Sequence, residues 1–134
     1  MSKTDYDFSG LDEIEKALTQ IIEHDYPEEF EKMVIDLAFQ LSGEVKLNTP
    51  VGETGYLRDN WHVGKITKIN GEYYIEVYNN TEYAEHVEYG HRNRGGKGFV
   101  KGKHMMEISI AKVNSHLPNY LRGWLTDFLN KHKI

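Results

Sequence analysis

The sequence predicts an α+β domain: N-terminal helices and a long C-terminal helix packed on a small antiparallel sheet. Three observations predict it. Apolar residues recur at helical spacing over 30–45, they do so again over 106–128, and two β-rich runs between them are joined by Asn70-Gly71. A length of 134 residues suits a single domain, 1–134, with one core.

Ser9 followed by Asp12 reads as a capping-box start, with Leu11, Ile14, Leu18, Ile21 and Ile22 on one helical face. Asp25-Tyr26-Pro27 interrupts this helix, because Pro27 suits the first turn of a new helix and not an interior. Phe30, Met33, Val34, Leu37, Ala38, Leu41 and Val45 then form a sustained stripe. The second helix should end near Leu47, since Asn48-Thr49-Pro50 disfavours helical geometry before the proline.

Residues 50–60, with two glycines and short polar side chains, read as loop. Trp61–Ile69 and Glu72–Tyr78 are rich in β-branched and aromatic residues, and Asn70-Gly71 is the favoured two-residue hairpin turn. Tyr73, Ile75 and Val77 alternate with Glu72, Tyr74, Glu76 and Tyr78, giving one apolar and one mixed face. Thr81–Tyr89 fits a short helix with Tyr83, Ala84 and Val87 on one side, or a third strand. Met106, Ile110, Val113, Leu117, Leu121, Trp124 and Phe128 stay in phase across Pro118, which predicts one kinked helix. Unbroken, 104–131 would measure roughly 42 Å, longer than a small domain, so the helix must bend, break or project.

Charge is distributed unevenly. The chain has 16 Lys and Arg against 21 Asp and Glu. Residues 1–31 hold ten acids and only Lys3 and Lys16 as bases, a solvated helix face that would repel DNA. His91 to His104 is the opposite: five bases (Arg92, Arg94, Lys97, Lys101, Lys103), four glycines and no acid. With no cysteine there are no disulfides, thiolate metal sites or cysteine nucleophiles. No apolar run approaches the roughly 18 residues that span a bilayer, and no apolar signal segment opens the chain, so no membrane partner and a cytoplasmic origin are expected.

Residues 91–103 are therefore the candidate site, expected as a flexible, basic, Gly-rich loop within the domain. They fail as a phosphate loop, because Gly90 and Gly96-Lys97 enclose five residues and Gly98 replaces the magnesium-binding hydroxyl. His86 and His91 are five apart with Glu85 and Glu88 near them, which is no metal-ligand spacing. The five serines sit in no strained Gly-flanked turn. No enzyme, no cofactor and no metal are expected. Arg92, Arg94, Lys97, Lys101 and Lys103, with His91 and Phe99 interleaved, could follow a nucleic-acid backbone and stack on a base, against the acidic remainder of the chain. The favoured reading is protein docking. So long a loop has few apolar residues, chiefly Phe99 and Val100, to offset its ordering, so it should order against another surface, and an acidic second copy is an obvious one.

The segment NTPVGETGYLRDNW (48–61) resembles the TPV-x-TG-x-LR-x-(S/N)-W signature of a family of tailed-phage tail components. These are the tail-completion or head–tail joining proteins of long, non-contractile tails. VYNNTEYAEHVEYGHRNRGGKGFVKGKHMM (77–106) is similar to that family's N-x-x-x-YA-x-x-VE-(Y/F)-G followed by a Gly/basic loop. Thr49, Pro50, Thr54, Gly55, Leu57 and Arg58 occupy the first motif. Tyr83, Ala84, Val87, Glu88, Tyr89 and Gly90 occupy the second. Gly52-Glu53 departs from the pattern, standing where members commonly have a single acidic residue. The resemblance implies a structural virion protein in the tail or neck, made in the bacterial cytoplasm. It implies a ring, typically hexameric, contacting the tail tube and head connector proteins while DNA passes through. Locally, Arg58 could instead only pair with Asp59 or a helix end, and Tyr83 and Tyr89 could be core aromatics.

Overall fold

A computed structural model describes residues 20–22, 24–52, 55–92 and 98–134. Residues 20–22 and 24–25 are helical, and most of the expected first helix lies outside the described residues. Helix α1, Pro27–Leu47, begins after Tyr26, whose φ of −134° and ψ of 53° turn the chain, with Pro27 in the first turn. Pro27 lacks the N–H that a helix interior would need, so it starts this helix and cannot continue the preceding one. The α1 C-terminus falls at Leu47, just before Asn48-Thr49-Pro50.

Four short elements follow: α2 (Tyr56–Asp59), β1 (Trp61–Val63), β2 (Thr67–Ile69) and β3 (Glu72–Tyr74). Then come β4 (Val77–Asn79), α3 (Ala84–Tyr89), β5 (Gly90–Arg92), β6 (Phe99–Lys101) and α4 (Met105–His132). Segment 81–89, open between helix and strand in the sequence, is helical from Ala84 onward.

The hairpin predicted over 61–78 is split into two ladders. Trp61 pairs with Asn79 and Val63 with Val77 at its base, while Thr67 pairs with Tyr74 and Ile69 with Glu72 toward the turn. Between them the three residues 64–66 face the two residues 75–76. One extra residue therefore bulges out of the first strand, and only the Gly64 N–H to Glu76 carbonyl bond (2.7 Å) bridges the gap. Asn70 and Gly71 both have positive φ, 52° and 82°, the backbone of a tight two-residue turn whose twist matches the strands. The bulge interrupts the expected alternation. Val77 still packs on the core, whereas β2 is wholly exposed.

Helices α1 and α4 run antiparallel along nearly their full lengths. Glu29 meets Lys131 and His132, Glu44 meets Lys112, and Asn48 Nδ2 donates to Ser109 Oγ at 3.0 Å. Helix α4 is assigned without a break through Pro118. The sequence required the helix to bend, break or project. In the structure its C-terminal half docks on the start of α1, where Phe128 meets the Tyr26 ring edge-on at 5.4 Å and stacks on Trp124 at 5.1 Å. The main core lies at the other end. Leu41 and Val45 of α1, Leu57, Trp61, Ala84, and Met105, Met106 and Val113 of α4 form one buried cluster.

Glu29 locks the free ends of the two long helices. Lys131 Nζ lies 2.5 Å from Oε1, and His132 Nε2 lies 2.7 Å from Oε2. The Lys131 hydrogen bond, followed by that of His132, holds the Glu29 carboxyl below its ordinary value of 4.5. A carboxyl depressed by folding adds stability above its unfolded pKa and loses it as pH falls through the folded value. Glu29→Gln should therefore lower Tm by about 1–4 °C at pH 7, and the gap from the parent chain should close as pH falls below about 4. Thermal melts followed by circular dichroism at both pH values check this. A gap that widens toward acid would contradict the assignment.

Candidate assembly interface

The residues of the first motif build a corner between the end of α1 and β1. Thr49 is buried and uses its hydroxyl twice: it donates to the Val45 carbonyl and accepts from Trp61 Nε1 at 2.9 Å. The only polar atom of the Trp61 side chain is thereby satisfied while its ring fills the core at 3% exposure. Gly55, at φ +66°, turns the chain into α2, and Leu57 points into the core. A Cβ at Gly55 would lie 3.2 Å from Arg58 Nη2, so the guanidinium folds back over this glycine. Arg58 Nε is 3.4 Å from Asp59 Oδ1, the local pairing anticipated as an alternative role. Thr54 lies outside the described residues.

The second motif is tied to the first through Asn79. Its Nδ2 donates to the Leu57 carbonyl at 2.7 Å, and its Oδ1 accepts from the Thr81 N–H (2.9 Å) and Thr81 hydroxyl (2.7 Å). Ala84 is 2% exposed, in the core. Tyr83 and Tyr89 are not core aromatics: they are 44% and 52% exposed. The α3 helix is too short for both faces to be covered, and its outward residues meet solvent.

Glu88 is the buried exception. At 2% exposure, its carboxylate accepts the Met106 N–H at 2.8 Å and the Glu107 N–H at 3.3 Å. It caps α4 from another element, satisfying first-turn amides that the helix cannot bond itself and placing a carboxyl at the positive helix end. The approach is close because two glycines allow it. A Cβ at Gly90 would lie 2.5 Å from the Val100 carbonyl oxygen and 2.7 Å from the Phe99 ring. One at Gly102 would lie 2.6 Å from the Tyr89 carbonyl carbon and 2.7 Å from the Gly90 nitrogen. The Lys103 N–H donates to Val87 (2.7 Å) and the His104 N–H to Glu88 (3.0 Å), closing a backbone clasp.

The basic segment leaves from this clasp. Expected as a flexible loop, the segment is paired at its stem: β5 and β6 run antiparallel, Gly90 with Lys101, His91 with Val100 and Arg92 with Phe99. The stem is thus a hairpin ordered within the chain itself, its ladder hydrogen bonds replacing the apolar contacts the segment lacks. Arg92, Phe99, Lys101 and Lys103 are all exposed, Phe99 by 63%. Arg94 and Lys97 lie outside the described residues.

Glu88, His104 and Glu107 place ligand atoms within 4.8 Å of one another, a grouping invisible in the sequence because it crosses the hairpin. The local field argues for a cap. The positive end of α4 opposes a cation, both Glu88 oxygens already accept amides, and His104 Nδ1 lies 3.0 Å from Glu107 Oε2. Gly102, Trp61 and Asn79 were not singled out as site residues from the sequence, and Thr49 only as a position of the first motif. Only the Thr-Pro and Asn-x-Thr patterns hinted at the hydroxyl and amide links.

The clasp predicts opposite outcomes for two glycine substitutions. Gly102→Ala drives a methyl into backbone and should cost about 1–3 kcal/mol. Gly43→Ala, inside α1 with nothing within 4 Å of the added carbon, should stabilise by about 0.5–1 kcal/mol. Urea unfolding of the two variants beside the parent measures both, and equal effects of one sign would refute the clasp.

A family model described as "Bacteriophage HK97-gp10, putative tail-component" matches residues 12–90. That is more than half of the chain, and it contains both motif segments as far as Gly90, where the basic hairpin begins. No curated protein and no solved structure matches the chain. Among the described residues no helix is long and apolar enough to cross a membrane. The chain belongs to the HK97-gp10-like family of bacteriophage tail components.

Proposed function

We propose that this tail component completes the tail at its head-proximal end, assembling as a ring between the tail tube and the head connector proteins while DNA passes through. The ring is hexameric in the virion on this reading, and the protein acts by binding, without catalysis or cofactor. The observation that carries it is the β5–β6 hairpin, a basic stem with an exposed Phe99, held on the body by the Glu88 clasp. Outside 91–104 the chain has 11 bases and 21 acids, so the body repels passing DNA while the hairpin attracts acidic protein surface. The chain is made in the bacterial cytoplasm and resides in the tail or neck of the virion.

The second reading, a nucleic-acid-binding module, has the same hairpin in its favour: exposed Arg92, Lys101 and Lys103 beside Phe99. Salt separates the two. If Arg92, Arg94, Lys97, Lys101 and Lys103 each neutralise a duplex phosphate, log K for DNA falls with log salt at a slope of about −4.5. The joining reading expects no such DNA binding, and expects negative-stain images of the protein mixed with purified tails to show density at the head-proximal end. It also expects charge reversal at Arg92, Arg94 and Lys97 to reduce the joining of tails to heads. Normal joining by that variant would defeat the role given to the hairpin.

A further inference from the structure

Strand β6 carries an open edge. It pairs with β5 alone, and its residues Phe99, Val100 and Lys101 are all exposed. Its outer row of backbone donors and acceptors therefore has no strand partner among the described residues. Residues opposite each other in an antiparallel ladder share a face. Arg92, Phe99 and Lys101 thus lie on one side of the hairpin, and His91 and Val100 on the other. The Phe99 ring leans inward over β5, since a Cβ at Gly90 would lie 2.7 Å from its Cζ, and so it stands clear of the outer edge. Strand β2 is also fully exposed, but its hairpin holds Glu72 and Glu76 as well as Lys65 and Lys68. The β5–β6 stem has no acid between His91 and His104.

We propose that β6 takes an extended acidic segment of another virion protein as a third strand of this ladder. Backbone bonds along the edge hold the segment, and its alternate side chains read the two faces. Acids at every second position meet Lys101 beside Phe99, and apolar residues between them cover Val100. Charge selects this occupant. Lys101, with Arg92 on the same face and Lys103 just beyond, attracts an acidic strand and repels a basic one. A second β6 would set basic strand against basic strand, and a nucleic-acid duplex has no alternating donors and acceptors to offer the edge. This assignment rests on the docking reading above and names what the hairpin docks on.

Blocked peptides test the edge and the charge separately. Labelled acetyl-Glu-Val-Glu-Val-Glu-Val-amide should bind the full chain and slow hydrogen exchange at the β6 amides, followed by NMR. The same peptide N-methylated throughout keeps its charges but has no backbone donor, and should bind at least about tenfold more weakly by fluorescence anisotropy. The counterpart with Lys in place of Glu should not bind. Lys101→Glu should weaken the acidic peptide about fivefold, with thermal melts confirming that the variant folds. Equal binding of the methylated peptide, or unchanged exchange at β6, overturns strand addition and leaves only attraction of charge to the hairpin. Equal binding of the Lys peptide overturns the acidic partner. If no peptide binds while the protein is still seen at the head-proximal end of purified tails, the third strand falls and the joining reading stands. If the protein is missing from the tails as well, both fall.

Discussion

The Glu88 carboxylate holds the structure together at its most crowded point. It sits on a six-residue helix that could not survive alone, and it reaches the first-turn amides of the longest helix in the chain. That single group fixes where α4 begins and how α3 lies across it. The backbone carbonyl of the same residue fixes how β5 and β6 leave, since it accepts the His104 N–H. Buried amides at a helix start are costly to leave unpaired, and a buried carboxyl is costly without donors, so each solves the problem of the other.

The consequences reach beyond the clasp. With its first turn fixed, α4 presents Met105, Met106 and Val113 to Leu41 and Val45 of α1, and Ser109 to Asn48. The Thr49–Trp61 and Asn79–Leu57 bonds then close the opposite wall of the same core. Most described motif residues are therefore scaffold: Gly55, Leu57, Ala84, Glu88 and Gly90 shape or fill it, and Thr49 links it. Tyr83 and Tyr89 lie outside that core, 44% and 52% exposed, with the Tyr83 ring 6.4 Å from that of Tyr56.

What was legible in the sequence follows from the range of the interactions involved. The stripes over 30–45 and 106–128, the Pro27 start and the stop before Pro50 depend on neighbours within a turn, and α1 and α4 form where they predict. The bulge at 64–66 was not, because it depends on register between strands and no residue there announces it. The cap given by Glu88 was hidden for the same reason: its partners lie 18 and 19 residues away, across the hairpin. Glycine content and basic charge over 91–103 suggested a flexible loop. In the structure Gly90 and Gly102 serve close backbone approach, which the same composition permits equally well.

An ordered stem changes the energetics of docking. A wholly unstructured 14-residue arm would surrender roughly 1–2 kcal/mol of backbone entropy per residue on meeting a partner. In this chain the β5–β6 ladder has already fixed 90–92 and 99–101, and the clasp has fixed 102–104. Arg92, Phe99 and Lys101 are thus presented on ordered backbone, and their ordering is charged to folding. A partner surface needs only to match their spacing, so a modest contact of one ring and two charges can suffice where an unstructured arm would need far more.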